Sequence, residues 1–255
     1  MTASKVRRER RGWAVLTAVA ILKPALFAFT KRDWIDIDKI PATGGCVVVF
    51  NHVSHLDPFT SAHLVNDAGR TPRYLAKSGL FTNKALGGFL RSAGQIPVSR
   101  MTSEAAGAYE AAVQGIRDGK AIIVYPEGTL TRDPDGWPMR GKSGAARIAL
   151  ATGCPVIPVG QWGVQEILPA YTKKPHLLPR KTVHLKVGDP VDLEDLLVRE
   201  PTLAVVHEAT DRIMAAITGL VEDLRHEHAP ALRFDPRASG VTEVGNPHRK
   251  KKDGS

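Results

Sequence analysis

His52 and Asp57 stand five residues apart in a loop that directly follows the apolar run Cys46-Val47-Val48-Val49-Phe50. At that spacing a carboxylate can fold back onto the imidazole, hold its tautomer and make the ring a general base. The loop also carries His55, and His63 follows shortly after. A second chemistry is therefore open, with His52, His55, Asp57 and His63 as ligands of a metal used for hydrolysis. A third is bland: histidines at a strand end with ordinary hydrogen bonds. No second ligand cluster follows at a later strand end, since His176, His184 and His207 stand alone. Gly141-Lys142-Ser143-Gly144-Ala145 keeps only part of a nucleophile elbow and follows a polar loop rather than a strand. The G-x-x-x-x-G-K-[ST] phosphate loop is absent.

Those side chains need a frame. Cys46 to Phe50 reads as a strand buried on both faces, and open α/β sheets place their chemistry beyond the carboxyl ends of such strands. Ala121 to Tyr125 is a second buried strand ending in Pro126-Glu127-Gly128-Thr129, which puts Glu127, Gly128 and Thr129 on the same rim as His52. Gly128 permits close backbone approach, and Thr129 with nearby N–H groups can bond an oxyanion or phosphate. Lys77 follows the strand candidate 73–76, and Arg100 closes the extended stretch 94–100, whose Pro97 suits a sheet edge. Further strands are predicted over 34–37, 155–160 and 182–187, and helices over 58–66, 84–92, 103–117, 143–151 and, as one or two pieces, 193–227. Strands alternating with helices predict an α/β fold with a mostly parallel central sheet flanked by helices.

The chain of 255 residues is 43% apolar and 24% charged, enough for one large domain. Two cysteines, Cys46 and Cys154, build no disulfide framework and read as buried thiols. The net charge of +9 gathers at the ends, in Arg7, Arg8, Arg10 and Arg11 and in Arg249 to Lys252. No nucleic-acid motif accompanies them, so no nucleic-acid partner is expected. The basic start leads into Trp-Ala-Val-Leu at 13–16 and an apolar stretch to Phe29 broken by Lys23-Pro24. A spanning helix needs roughly 20 apolar residues, so the expectation is a helix, or a kinked pair, lying at the membrane interface with its arginines at lipid headgroups. The chain then divides into a membrane-associating segment at 1–30, a catalytic domain at 31–227 and a disordered basic tail at 228–255.

Four stretches, in order, resemble the sequence blocks of glycerolipid acyltransferases. Asn51-His52-Val53-Ser54-His55-Leu56-Asp57 is similar to their N-H-x-S-x-x-D block, and Gly94 to Arg100 to their second block with its closing arginine. Tyr125-Pro126-Glu127-Gly128-Thr129 resembles the third, and Pro155 to Pro158 the fourth. The nearest resemblance is to 1-acylglycerol-3-phosphate acyltransferases. It implies that His52 takes the proton from a glycerol hydroxyl while Asp57 orients the ring, and that the hydroxyl attacks an acyl-CoA or acyl-carrier-protein thioester directly. No metal or other cofactor is then required. It also implies that Glu127, Gly128 and Thr129 hold a lysophospholipid acceptor, that Lys77 and Arg100 bind its phosphate, and that the enzyme works at the cytoplasmic face of the cell membrane. One position departs from the pattern: Leu130 stands where the third block has arginine. Either Arg132 replaces that cation or the acceptor headgroup differs.

Overall fold

The computed structural model describes residues 12–98, 102–172 and 174–242. Seven strands form one sheet in the order β1-β7-β6-β2-β5-β3-β4. In chain order they are β1 (Thr30–Ile35), β2 (Cys46–Phe50), β3 (Arg73–Lys77), β4 (Ile96–Val98), β5 (Ala121–Val124), β6 (Val156–Trp162) and β7 (Lys181–Val187). Every pairing is parallel except β6 with β7. The helices are α1 (Trp13–Phe29), α2 (Asp57–Asp67), α3 (Lys84–Ser92), α4 (Thr102–Arg117), α5 (Gly144–Thr152), α6 (Val164–Ile167), α7 (Glu194–Leu197) and α8 (Leu203–Arg225).

β2 lies between β6 and β5, and all five of its side chains are fully buried. Its two faces feed two cores, as the two-residue period of a strand requires. Val47 and Val49 pack with Ala112 and Ile116 of α4, Ala145 of α5 and Met214 of α8. Cys46, Val48 and Phe50 join Leu64 and Val65 of α2 and Leu185 of β7 on the other side. α8 closes the first core so tightly that a Cβ at Gly160 of β6 would come within 2.7 Å of Leu220 Cβ.

Most predicted elements form within a residue or two. β1 begins at Thr30, four residues before its expected start, because Lys31, Arg32 and Asp33 lie on an edge strand with polar partners rather than in a core. Asp33 pairs in register with His184 of β7, and their side chains meet at 2.7 Å. β4 is the opposite edge, where Pro97 costs no internal ladder bond. Residues 228–242, expected as the start of a disordered tail, instead return to the domain. The Arg140 N–H donates to the Phe234 carbonyl at 2.9 Å, and its guanidinium pairs with Asp235 at 2.7 Å. Composition shows that this segment is rich in prolines, glycines and charges, but it does not show ion pairs with residues far back in the chain.

α1 is a single helix that continues through Pro24 and runs into β1 without a loop. Ala14 and Val15 pack on Ala93, Val19 and Phe89. Arg180 donates to the carbonyls of Phe27 and Thr30 at the helix's C-terminal end. Asp67 of α2 gathers Lys23 at 2.7 Å, Arg32 at 2.8 Å and the Trp34 indole N–H at 3.2 Å. Among the described residues no helix is long and apolar enough to cross a membrane. The outer face of α1 still leaves Trp13, Leu16 and Ile21 more than half exposed. The arginines at 7–11 and the basic cluster at 249–252 lie outside the described residues.

Asp67 thus ties α1 to the sheet through charge-assisted bonds in a partly buried place. Asp67→Ala is expected to cost about 1–3 kcal/mol and to speed proteolytic cutting within α1. Equal melting and equal cleavage in the variant would show that packing alone holds the helix.

Candidate active site

His52 emerges two residues beyond Phe50, the last residue of β2, and is gripped by its backbone as well as through its ring. Its N–H donates to Glu127 Oε1 at 2.8 Å, and its carbonyl accepts from the Thr131 N–H at 2.7 Å. The preceding residue is held as firmly. Asn51 and Gln161 exchange three buried hydrogen bonds between side chain and backbone, at 3.0, 2.8 and 2.5 Å. The turn from β2 is therefore fastened to β6 on one side and to the loop after β5 on the other.

Asp57 is the first residue of α2 and fully buried. Its Oδ2 meets His52 Nδ1 at 2.8 Å and accepts from the N–H groups of Val53 at 2.7 Å and Ser54 at 2.8 Å. Burial pushes the Asp57 carboxyl up, while the His52 hydrogen bond and charge and the two N–H groups pull it back. A carboxylate on Nδ1 fixes the hydrogen there and leaves Nε2 with a lone pair to accept a proton. The ring stacks on Tyr125 with centroids 4.3 Å apart. The Tyr125 and Tyr74 hydroxyls both meet Ser61 Oγ, at 2.7 and 2.8 Å.

His52 lines an apolar cavity of about 540 Å³ with Leu22 and Leu26 of α1, Phe59 of α2, Leu75 of β3 and Leu90 of α3. The imidazole thus borders a space large enough for a long apolar group. Ser54 and Ser61 are otherwise engaged: the Ser54 hydroxyl donates to the Leu168 carbonyl at 2.7 Å, and Ser61 bonds the tyrosines.

The other candidate residues divide. Glu127 is 1% exposed, with Oε1 on the His52 N–H and Oε2 on the Met139 N–H at 3.2 Å. It ties the His52 loop to the stretch at Met139 and also lines a second cavity. Burial pushes its carboxyl up to about 8, against the pull of those two donors. Gly128 has φ +71°, and its bare Cα accommodates the Lys142 side chain, whose Cδ would lie 3.1 Å from an added Cβ. Thr129 lines the same second cavity, of about 510 Å³. Leu130 is buried at 2% exposure. Arg132 is buried too, its guanidinium 4.7 Å over the Tyr171 ring. Lys77 is the last residue of β3, in register with Val98, and Arg100 lies outside the described residues.

His55 turns outward, edge-on to Tyr171, while Asp57 faces His52. His63 sits in the lining of the apolar cavity, 3.4 Å from Asp67. Among the described residues no three metal-ligating side chains converge. Sequence reasoning gave no role to Tyr125, Tyr74, Ser61 or Gln161. The aromatic before Pro126-Glu127 was a signal for Tyr125, whereas the others become neighbours only through the sheet.

An acyltransferase family model matches residues 32–162, which include both strand ends and the loops beyond them. The chain is 26% identical over 192 residues to a Bacillus subtilis 1-acyl-sn-glycerol-3-phosphate acyltransferase, covering 73% of this chain and 88% of that one. It is 29% identical over 164 residues to a chloroplast 1-acyl-sn-glycerol-3-phosphate acyltransferase of Brassica napus, 64% of this chain and 46% of that protein. The chain spans less than half the length of that relative and of a similar one from Arabidopsis thaliana. The fold matches the crystal structure of a Thermotoga maritima 1-acyl-sn-glycerophosphate acyltransferase at a TM-score of 0.62 and 24% identity, over 85% of this chain and 81% of that one.

Glu127 makes a prediction about pH. Its folded pKa of about 8 lies above the ordinary 4.5. Between those values the folded protein holds a proton that the unfolded chain releases, so this group makes stability fall as pH rises through the window. Glu127→Gln is expected to flatten that slope in urea titrations run at stepped pH. A slope unchanged by the substitution would place its source elsewhere.

Proposed function

The chain belongs to the acyltransferase family, and on that premise we propose that it moves a fatty acyl group from a thioester to the free hydroxyl of a lysophospholipid. The observation that carries this reading is the His52–Asp57 pair beside an apolar cavity. His52 Nε2 takes the acceptor hydroxyl's proton as that oxygen attacks the thioester carbonyl carbon. The resulting imidazolium is stabilised by Asp57 Oδ2 at Nδ1. The carbon–sulfur bond then breaks, and the departing sulfur takes the proton back from Nε2. Protons balance, and no metal or other cofactor enters the scheme.

The acceptor proposed is 1-acylglycerol-3-phosphate, acylated at its second hydroxyl to give phosphatidic acid for phospholipid synthesis. The names of the relatives support this choice. The thioester is acyl-CoA or acyl-carrier protein. The apolar cavity suits an acyl chain, because its walls offer almost no polar partner. α1 forms one wall and exposes Trp13, Leu16 and Ile21 on its outer face, which supports attachment to a lipid surface; the proposal places that surface on the cytoplasmic side of the membrane.

Acyl transfer to a panel of lysophospholipids tests the reading. His52→Ala and Asp57→Asn are each expected to lower kcat by at least roughly 10²-fold while the fold is kept. Near-normal turnover in either would remove the pair from the chemistry. Ala62→Phe, which adds bulk in the apolar cavity, is expected to lower turnover of long-chain thioesters more than that of short ones. An equal effect on all lengths would mean that the chain binds elsewhere.

A further inference from the structure

The second cavity, of about 510 Å³, shares no lining residue with the apolar one and is different in character. Arg140 and Lys142 come from the loop before α5, and Arg233 and Arg237 from the returning segment 228–242. Asp211 and Asp235 are the facing carboxylates, paired with Arg233 at 3.5 Å and Arg140 at 2.7 Å. Glu127 also lines the space, but a carboxyl held up to about 8 adds little negative charge at neutral pH. Cations thus outnumber anions around a space large enough for more than a single ion. The first turn of α5, which starts beside Lys142 and Ser143, carries no acidic residue and adds its positive end.

The cavity is also wired to the base. Glu127 and Thr129 form its inner edge, and Glu127 holds the backbone N–H of His52. The Lys142 N–H donates to the Pro126 carbonyl at 2.7 Å, and its side chain lies along Gly128. Half of the cationic wall belongs to residues beyond 162, where the family-model match ends.

We propose that this cavity, lined by Arg140, Lys142, Arg233 and Arg237, binds a phosphate monoester of one of the two substrates, and that the segment after α8 is part of the site. The proposal rests on the acyl-transfer reading for the statement that the bound molecule is a substrate. A dianion with several acceptor oxygens matches several converging cationic donors better than a single carboxylate does. Two sources share that chemistry: the acceptor's headgroup phosphate and the phosphates of a nucleotide-bearing thioester carrier.

Calorimetric titration of the full chain with glycerol 3-phosphate and, separately, with adenosine 3′,5′-bisphosphate distinguishes them. The double variant Lys142→Gln with Arg233→Gln is expected to weaken binding of one probe by about tenfold or more. Asp211→Asn, which removes an exposed carboxylate from the rim, is expected to tighten it, an effect that a purely structural role would not produce. Loss confined to glycerol 3-phosphate assigns the site to the headgroup, and loss confined to the bisphosphate assigns it to the carrier. If neither probe binds the wild type, or if all three proteins bind alike, the site is wrong. Should the double variant fail to fold, Asp211→Asn decides alone. Acyl transfer by the same preparations separates the two readings. A wild type that binds a probe but transfers no acyl group would sink the acyltransferase reading and leave the anion site. Transfer with both KM values unchanged in the variants would do the reverse.

Discussion

A strand buried on both faces must hand its chain to a polar loop without leaving the loop's donors and acceptors bare. At the end of β2 that requirement falls on Asn51 and His52, and their neighbours meet it: Gln161 for the first, Glu127 and the Thr131 N–H for the second. The imidazole inherits its position from these bonds. By the time Asp57 meets Nδ1, the ring's backbone is already set by two other strand ends. Asp57 in turn is held by Val53 and Ser54 and by its place at the start of α2. The His52–Asp57 pair is therefore the last step of a chain of satisfied hydrogen bonds that begins inside the sheet.

Much of this frame was legible in the sequence, and the reasons are local. β2, β5 and β6 announce themselves as apolar β-branched runs because both faces are covered. The His52–Asp57 contact was legible because five residues of one loop separate the partners. Glu127 was placed on the right rim, but its backbone partners were not visible. Its neighbours Met139 and His52 cannot be inferred from a Glu-Gly-Thr triplet. The polar edge strand β1 was read too short, because hydropathy is blind to cross-strand partners such as Asp33 and His184. Neither cavity was legible. Each is walled by segments more than 50 residues apart in the chain, and only the sheet order brings those segments together.

The two cavities divide the surroundings of the dyad by polarity. On one side are side chains from α1, α2, α3 and β3 that turn a mainly carbon surface to the cavity. On the other are arginines and a lysine from the loop before α5 and from the segment after α8. The loop from Tyr125 to Thr129 lies between, contributing Tyr125 to the first and Glu127 with Thr129 to the second. A molecule with an apolar tail and an anionic head meets the same division along its own length.

α1 has two faces with different neighbours. Val15, Val19 and Leu22 look into the apolar cavity, while Trp13, Leu16 and Ile21 look outward. A single helix thickness, roughly 10 Å, is all that separates the cavity from whatever covers the outer face. Were that cover a bilayer, a hydrocarbon chain leaving it would pass around or under one helix to reach the imidazole. It could make the crossing sideways, without its carbons ever being hydrated. The bonds of Lys23 and Arg32 to Asp67 fix that helix in place as the wall between the two.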